Sequence, residues 1–291
     1  MSFGLALSGG GTKGAAHVGV LLALEEAGMF PSSIAGTSAG AIVAGLYATG
    51  TDAGGLKRMV RELSKTGMYL CDADFANLLK AVPQFLLHHK IDITGLFKGN
   101  RLEKYLCQNT DNKNITETDI PTIIPAVDIN SGETVVYASS IKNVSAVEGV
   151  SWKTDIPVCQ AVRASMAVPA VFQPKTIGDL CLVDGGVTTT LPVDLLIAAG
   201  ESNVLAVDVT KNYEMPDKKN IIDITTHSLS IMSTRLKDLN SHGEKLLLKP
   251  QLPKESGLLT FDEMERCLDA GYEAAQMSMT AIKAIFKQPR A

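Results

Sequence analysis

The sequence predicts an α/β fold built on a mainly parallel sheet covered by helices, and three observations predict it. Apolar runs ending in small or acidic residues alternate with segments of helical period, the pattern of buried strands joined by crossover helices. The first 55 residues hold 13 of the 25 glycines and only four charged side chains, Lys13, Glu25, Glu26 and Asp52, which suits buried strands and tightly turned backbone. No internal repeat, low-complexity tract or Pro/Ser-rich linker interrupts the 291 residues. One domain over 1–291 is therefore expected, motif-bearing over about 3–210, with a C-terminal extension over about 213–291.

In chain order, strands are expected at Phe3–Ser8, Ser33–Thr37, Thr122–Asp128, Thr134–Ala138, Leu180–Val183, Val204–Val209 and Lys245–Leu248, each a short apolar run. Helices fill the gaps at Ala15–Ala27, Ala39–Thr49, Gly55–Leu63, Arg101–Cys107, Val158–Met166, Leu191–Ala199, Ile222–Leu239 and Phe261–Phe286, where apolar residues recur with helical period. The segment from Tyr69 to Phe97 stands apart. It places Phe75, Leu78, Leu79, Val82, Phe85 and Leu86 at helical spacing, with His88 and His89 beyond. An amphipathic helix packed on the core is the plain reading. A mobile cap touching acyl chains or a membrane surface, through about 69–97, is the other.

Composition excludes several classes. With 27 Lys plus Arg against 31 Asp plus Glu, a net charge of -4 and 45% hydrophobic residues, the chain is not disordered and is not a basic nucleic-acid binder. Ala27–Thr51 is uncharged and long enough to cross a bilayer. Pro31 and the run Gly36-Thr37-Ser38-Ala39-Gly40 break it, so strand, turn and buried helix are expected instead. Phe3–Leu7 lacks the basic flank and length of a signal core. Five scattered cysteines, Cys71, Cys107, Cys159, Cys181 and Cys267, with no C-x-x-C pair, are expected as reduced thiols in a cytoplasmic protein. Asn114-Ile115-Thr116 and Asn143-Val144-Ser145 match the glycosylation pattern by chance on this reading.

Two glycine motifs carry the chemistry. The first strand runs into Gly9-Gly10-Gly11-Thr12-Lys13-Gly14 and then a helix, a setting in which backbone N–H groups converge on an anion. It also fits G-x-G-x-x-G, but the second strand ends in Thr37 and Ser38 rather than a ribose-binding acid. A G-x-x-x-x-G-K-[ST] phosphate loop fails because Ala15 follows Gly14. The second strand ends in Gly36-Thr37-Ser38-Ala39-Gly40, a G-x-S-x-G between strand and helix, the context of a nucleophile elbow. A serine nucleophile needs a base. Asp128, Asp184 and Asp208 each close an apolar strand, and only Asp184 is followed by two glycines, Gly185 and Gly186. That favours Asp184 while leaving the other two open. His17, His88, His89, His227 and His242 complete the titratable candidates, and no metal constellation emerges from them or from Asp72 and Asp74.

The glycine loop, the elbow and Asp184-Gly185-Gly186 together resemble the patatin-like phospholipase family. Arg163-Ala164-Ser165-Met166-Ala167-Val168-Pro169-Ala170-Val171-Phe172-Gln173-Pro174 is similar to that family's block before its aspartate. The resemblance spans residues 9–186 and implies a three-layer α/β/α fold and a Ser-Asp dyad without histidine. By position it makes Ser38 the nucleophile, Asp184 the base and Gly9–Gly14 the oxyanion hole, with Lys13 at the loop's basic position. The implied substrate is a lipid or fatty-acyl ester, with no cofactor. Oligomeric state stays open. Three rivals remain: an α/β-hydrolase triad of Ser38, Asp184 or Asp208, and His227 or His242; a nucleotide-binding oxidoreductase using the Gly9–Gly14 loop; and a non-catalytic lipid-binding protein.

Overall fold

The computed structural model describes residues 2–74, 94–210, 221–240 and 243–286. In chain order the strands are β1 (Gly4–Leu7), β2 (Ser33–Gly36), β3 (Gly95–Phe97), β4 (Thr122–Asp128), β5 (Thr134–Ala138), β6 (Val150–Lys153), β7 (Ala170–Phe172), β8 (Lys175–Ile177), β9 (Leu180–Asp184), β10 (Val204–Val207) and β11 (Leu246–Leu248). The α-helices are α1 (Ala15–Glu26), α2 (Ala39–Ala48), α3 (Ala53–Leu70), α4 (Asn100–Asn109), α5 (Val158–Ser165), α6 (Val193–Ala198), α7 (Ile221–Asn240) and α8 (Met264–Phe286).

The main sheet runs β11-β10-β1-β2-β4-β5-β6. From β11 through β4 neighbours are parallel, β5 turns antiparallel to β4, and β6 runs parallel to β5. Alternate side chains feed two cores, one on each face. Leu5, Leu7, Ile34, Leu205 and Val207 join the core shared with α1, α2, α3, α5 and α8. Ala6, Ala35, Ala206 and Ile123 join the smaller core under α6. Helices thus flank a mixed, mostly parallel sheet, the α/β/α layering implied above.

One edge of β4 positions the site. Its first residues pair with β2, Ile34 opposite Thr122 and Ala35 opposite Ile123. Farther along the same strand β9 pairs antiparallel, Asp184 opposite Ala126. The end of β9 is thereby brought back to the end of β2, where Ser38 begins the turn into α2. The long helix α8 lies along α1 with Gly19 and Gly271 at the crossing. A Cβ on Gly19 would run into the Leu268 carbonyl, and one on Gly271 into that of Ala16.

Most expected elements form, with shifts at their ends. The α3 helix starts earlier than the apolar stripe Gly55–Leu63 suggests, because the Asp52 side chain accepts from the Gly55 N–H at 2.6 Å and caps it, and it runs on to Leu70. The strands β3, β6, β7 and β8 have three or four residues and mostly partial burial, too short to carry a period. The reduced-thiol expectation is corrected: Cys107, near the end of α4, and Cys159, at the start of α5, are disulfide-bonded with Cα atoms 5.0 Å apart. The two helices pack together, a proximity across 52 residues that no C-x-x-C spacing announces. Cys71, Cys181 and Cys267 are free thiols. The cap residues Phe75, Leu78, Leu79, Val82, Phe85, Leu86, His88 and His89 lie outside the described residues. No described helix is long and apolar enough to cross a membrane.

Candidate active site

Ser38 sits between β2 and α2 with φ 54° and ψ −116°, a left-handed backbone costing about 1–3 kcal/mol for a non-glycine residue. Its surroundings enforce the turn. The Thr37 N–H donates to the Leu7 carbonyl at 3.1 Å, the Thr37 hydroxyl to the Thr189 carbonyl at 2.8 Å, and the Ser38 N–H to the Ser165 hydroxyl at 3.0 Å. Gly36 and Gly40 let the turn close. A Cβ at Gly36 would meet the Gly40 carbonyl, and one at Gly40 would meet that of Leu7. Serine at a helix N-cap ordinarily accepts from the first turn; here its side chain makes no cap bond. The hydroxyl is left to hydrogen-bond to Asp184.

Asp184 is buried at the end of β9. Its Oδ1 accepts the Gly186 N–H at 2.7 Å, and its own N–H donates to the Ala167 carbonyl at 3.0 Å. Burial pushes its carboxyl up to about 6, opposed by hydrogen bonds from the Ser38 hydroxyl and the Gly186 N–H. Oδ2 has no partner of regular hydrogen-bond geometry, so the serine contact is loose.

The glycine loop runs beside Ser38. A Cβ placed on Gly9 would lie 3.4 Å from that of Ser38. Residues Gly11–Gly14 form a single 3-10 turn leading into α1. Two loop donors are already engaged: the Gly9 N–H with the Thr190 carbonyl at 3.0 Å and the Thr12 N–H with the Leu258 carbonyl at 3.1 Å. The Gly10 N–H has no backbone hydrogen-bond partner among the described residues. Lys13 adds positive charge that acts on the nearby Cys267 thiol.

An apolar cavity of about 140 Å³ opens beside Ser38, with Gly11, Ile42, Leu56, Leu106, Phe172 and Phe261 among its walls. The remaining candidates have other roles. His17 is fully buried, its Nε2 donating to the Ser8 carbonyl at 2.9 Å, and burial lowers its pKa to about 4. It is a neutral core histidine supporting the loop. Asp128 folds onto the Asn130, Ser131 and Cys181 backbone N–H groups. Asp208 forms a buried ion pair with Lys237 at 2.6 Å and also accepts from Thr210. His227 lies on α7, and His242 is outside the described residues. Sequence reasoning assigned no role to Ser165, Thr189 or residues 257–260, because each reaches the site from a distant stretch.

A buried carboxyl drawn back to an elbow serine at the end of a mixed sheet defines a class of α/β proteins with a strained serine turn. The chain belongs to the patatin-like phospholipase family, whose sequence model matches residues 5–197. An uncharacterized NTE family protein of Mycobacterium bovis is 26% identical over 306 residues, covering 96% of this chain and 47% of that protein. Lysophospholipase NTE1 of Mycosarcoma maydis is 29% identical over 209 residues, covering 72% of this chain and 10% of the fungal one. The chain thus spans less than half the length of either relative. The crystal structure of VipD from Legionella pneumophila aligns with a TM-score of 0.51 at 14% identity, over 96% of this chain and 67% of that one. At that identity the likeness concerns the fold alone.

Proposed function

We propose that the chain is a lipid acyl hydrolase that cleaves carboxylic esters through Ser38 and Asp184. The observation that carries this is the Ser38 hydroxyl, uncommitted to helix capping, set against a buried carboxyl and opening on an apolar cavity. Ionised Asp184 takes the Ser38 proton as Oγ bonds to the ester carbonyl carbon. The carbonyl π electrons move to its oxygen, which the Gly10 and Gly11 N–H groups receive. When the tetrahedral species collapses, the C–O bond to the alcohol breaks and Asp184 returns the proton to that alcohol. Water, deprotonated by the same carboxylate, then attacks the acyl-serine and frees the acid and Ser38. Positioned proton transfer contributes about 10²- to 10⁴-fold, and one oxyanion donor roughly 3–4 kcal/mol. The loop therefore matters as much as the base.

The triad rival has less support. Asp208 is held by Lys237 and Thr210, and no histidine is needed by a carboxyl already raised to about 6. For the oxidoreductase reading, β2 ends without a ribose acid. The lysophospholipase among the relatives makes a lysophospholipid the first substrate to assay. Peripheral membrane contact through about 69–97 belongs to this reading, since Met68 and Tyr69 are exposed at the end of α3. A cytoplasmic location loses the support of five reduced thiols. The test is hydrolysis of a lysophospholipid by wild type, Ser38→Ala and the pair His227→Ala and His242→Ala. Loss in the first variant and retention in the other two is expected. An inactive histidine variant would restore the triad.

A further inference from the structure

The glycine loop is held on its far side by residues from near the end of the chain. The Thr12 N–H donates to the Leu258 carbonyl at 3.1 Å. The Thr12 hydroxyl donates to the Gly257 carbonyl at 3.0 Å, lies 3.2 Å from the Thr260 hydroxyl, and the Thr260 oxygen accepts the Gly257 N–H at 2.7 Å. Because the Thr12 proton goes to a carbonyl, the Thr260 proton must go to the Thr12 oxygen. The four groups close a ring: Gly257 N–H to Thr260, Thr260 to Thr12, Thr12 to the Gly257 carbonyl. Such chains polarise one another and fix geometry more tightly than isolated bonds. The docking is also close, since a Cβ on Gly11 would lie 2.5 Å from the Leu258 carbonyl oxygen. The residues that brace the loop, Gly257, Leu258 and Thr260, all lie beyond residue 197, where the family match ends.

From this geometry we infer that Thr260 is a positioning residue: through Thr12 it fixes the Gly10-Gly11 peptide where the oxyanion forms beside Ser38. The inference rests on the proposed ester hydrolysis and assigns a role to the C-terminal extension, which carries none of the motifs. Thr260 touches no reacting atom. It acts only by holding Thr12, so its loss should appear in the transition state and not in binding of the ester. Thr12→Val cuts the same ring from the other side.

The experiment uses the full chain and a short p-nitrophenyl ester, with rates normalised to active sites titrated by a fluorophosphonate. Thr260→Val should lower kcat about tenfold or more with KM little changed, as a misplaced rather than absent donor would. Thr260→Ser, which keeps the hydroxyl, should restore the rate. Thr12→Val should lose as much, and the double variant no more than either single one, because one break opens the ring. Normalising to titrated sites removes misfolded protein from the comparison. Wild-type kcat in Thr260→Val, additive losses in the double variant, failure of Thr260→Ser to rescue, or a rise in KM alone would each overturn the inference. Full activity in Ser38→Ala would overturn the hydrolysis itself. Loss there together with an unaffected Thr260→Val would leave the hydrolysis standing and refute only the brace.

Discussion

Replacing Asp184 by Asn should abolish hydrolysis and yet stabilise the folded chain at neutral pH. Burial raises this carboxyl from 3.8 to about 6. Between those values the folded state binds the proton more tightly than the unfolded state does. Stability therefore falls as pH rises through the window, and above about 6 the folded chain carries the full cost of a desolvated carboxylate. A shift of that size corresponds to about 3 kcal/mol. Asn removes the charge while its Oδ1 can still accept the Gly186 N–H, which lies 2.7 Å from the Asp oxygen. The lost Oδ2 has no regular partner to forfeit. Denaturant unfolding at pH 7.5 should thus find Asp184→Asn more stable by up to about 3 kcal/mol, and the advantage should shrink towards zero near pH 4. No gain at pH 7.5, or an equal gain at both pH values, would refute the reasoning.

Three further outcomes follow from the same geometry. If ionised Asp184 is the base, kcat/KM for a neutral ester should rise with pH through about 6; a flat profile from pH 5 to 8 would count against it. Ser165→Ala leaves the buried Ser38 N–H without its acceptor, so stability should drop by about 1–3 kcal/mol, with a lower kcat from the relaxed elbow, both read on one purified preparation. Lys237→Met leaves buried Asp208 with only the exposed Lys249 at 3.9 Å and the Thr210 hydrogen bonds, and chemical unfolding should register a loss of up to about 3–5 kcal/mol while fluorophosphonate labelling of the surviving folded protein persists.

What the sequence made legible is what lies close together along the chain. The elbow Gly36–Gly40 and the glycine loop are contiguous, and their flanking strand and helix can be read from apolar runs. Local sequence separates Asp184 from Asp128 and Asp208 only by the two glycines after it, and the family resemblance points to the same residue. The reason for its position is topological: β9 runs antiparallel along the stretch of β4 that β2 has vacated, and a five-residue strand does not disclose its direction. The disulfide between Cys107 and Cys159, the Ser165 contact and the ring from Thr12 to Thr260 each join residues far apart in sequence. No local periodicity encodes such contacts. The partners of the Gly9 and Thr12 N–H groups, the Thr190 and Leu258 carbonyls, likewise come from distant stretches of the chain.

The most direct test of the central claim is to map the covalent adduct formed with a fluorophosphonate by peptide mass spectrometry, in wild type and in Ser38→Ala. One modified residue, Ser38, is expected in the wild type, and an unmodified Ser38→Ala chain that no longer hydrolyses esters. Modification at another residue, or continued turnover by Ser38→Ala, would contradict that claim.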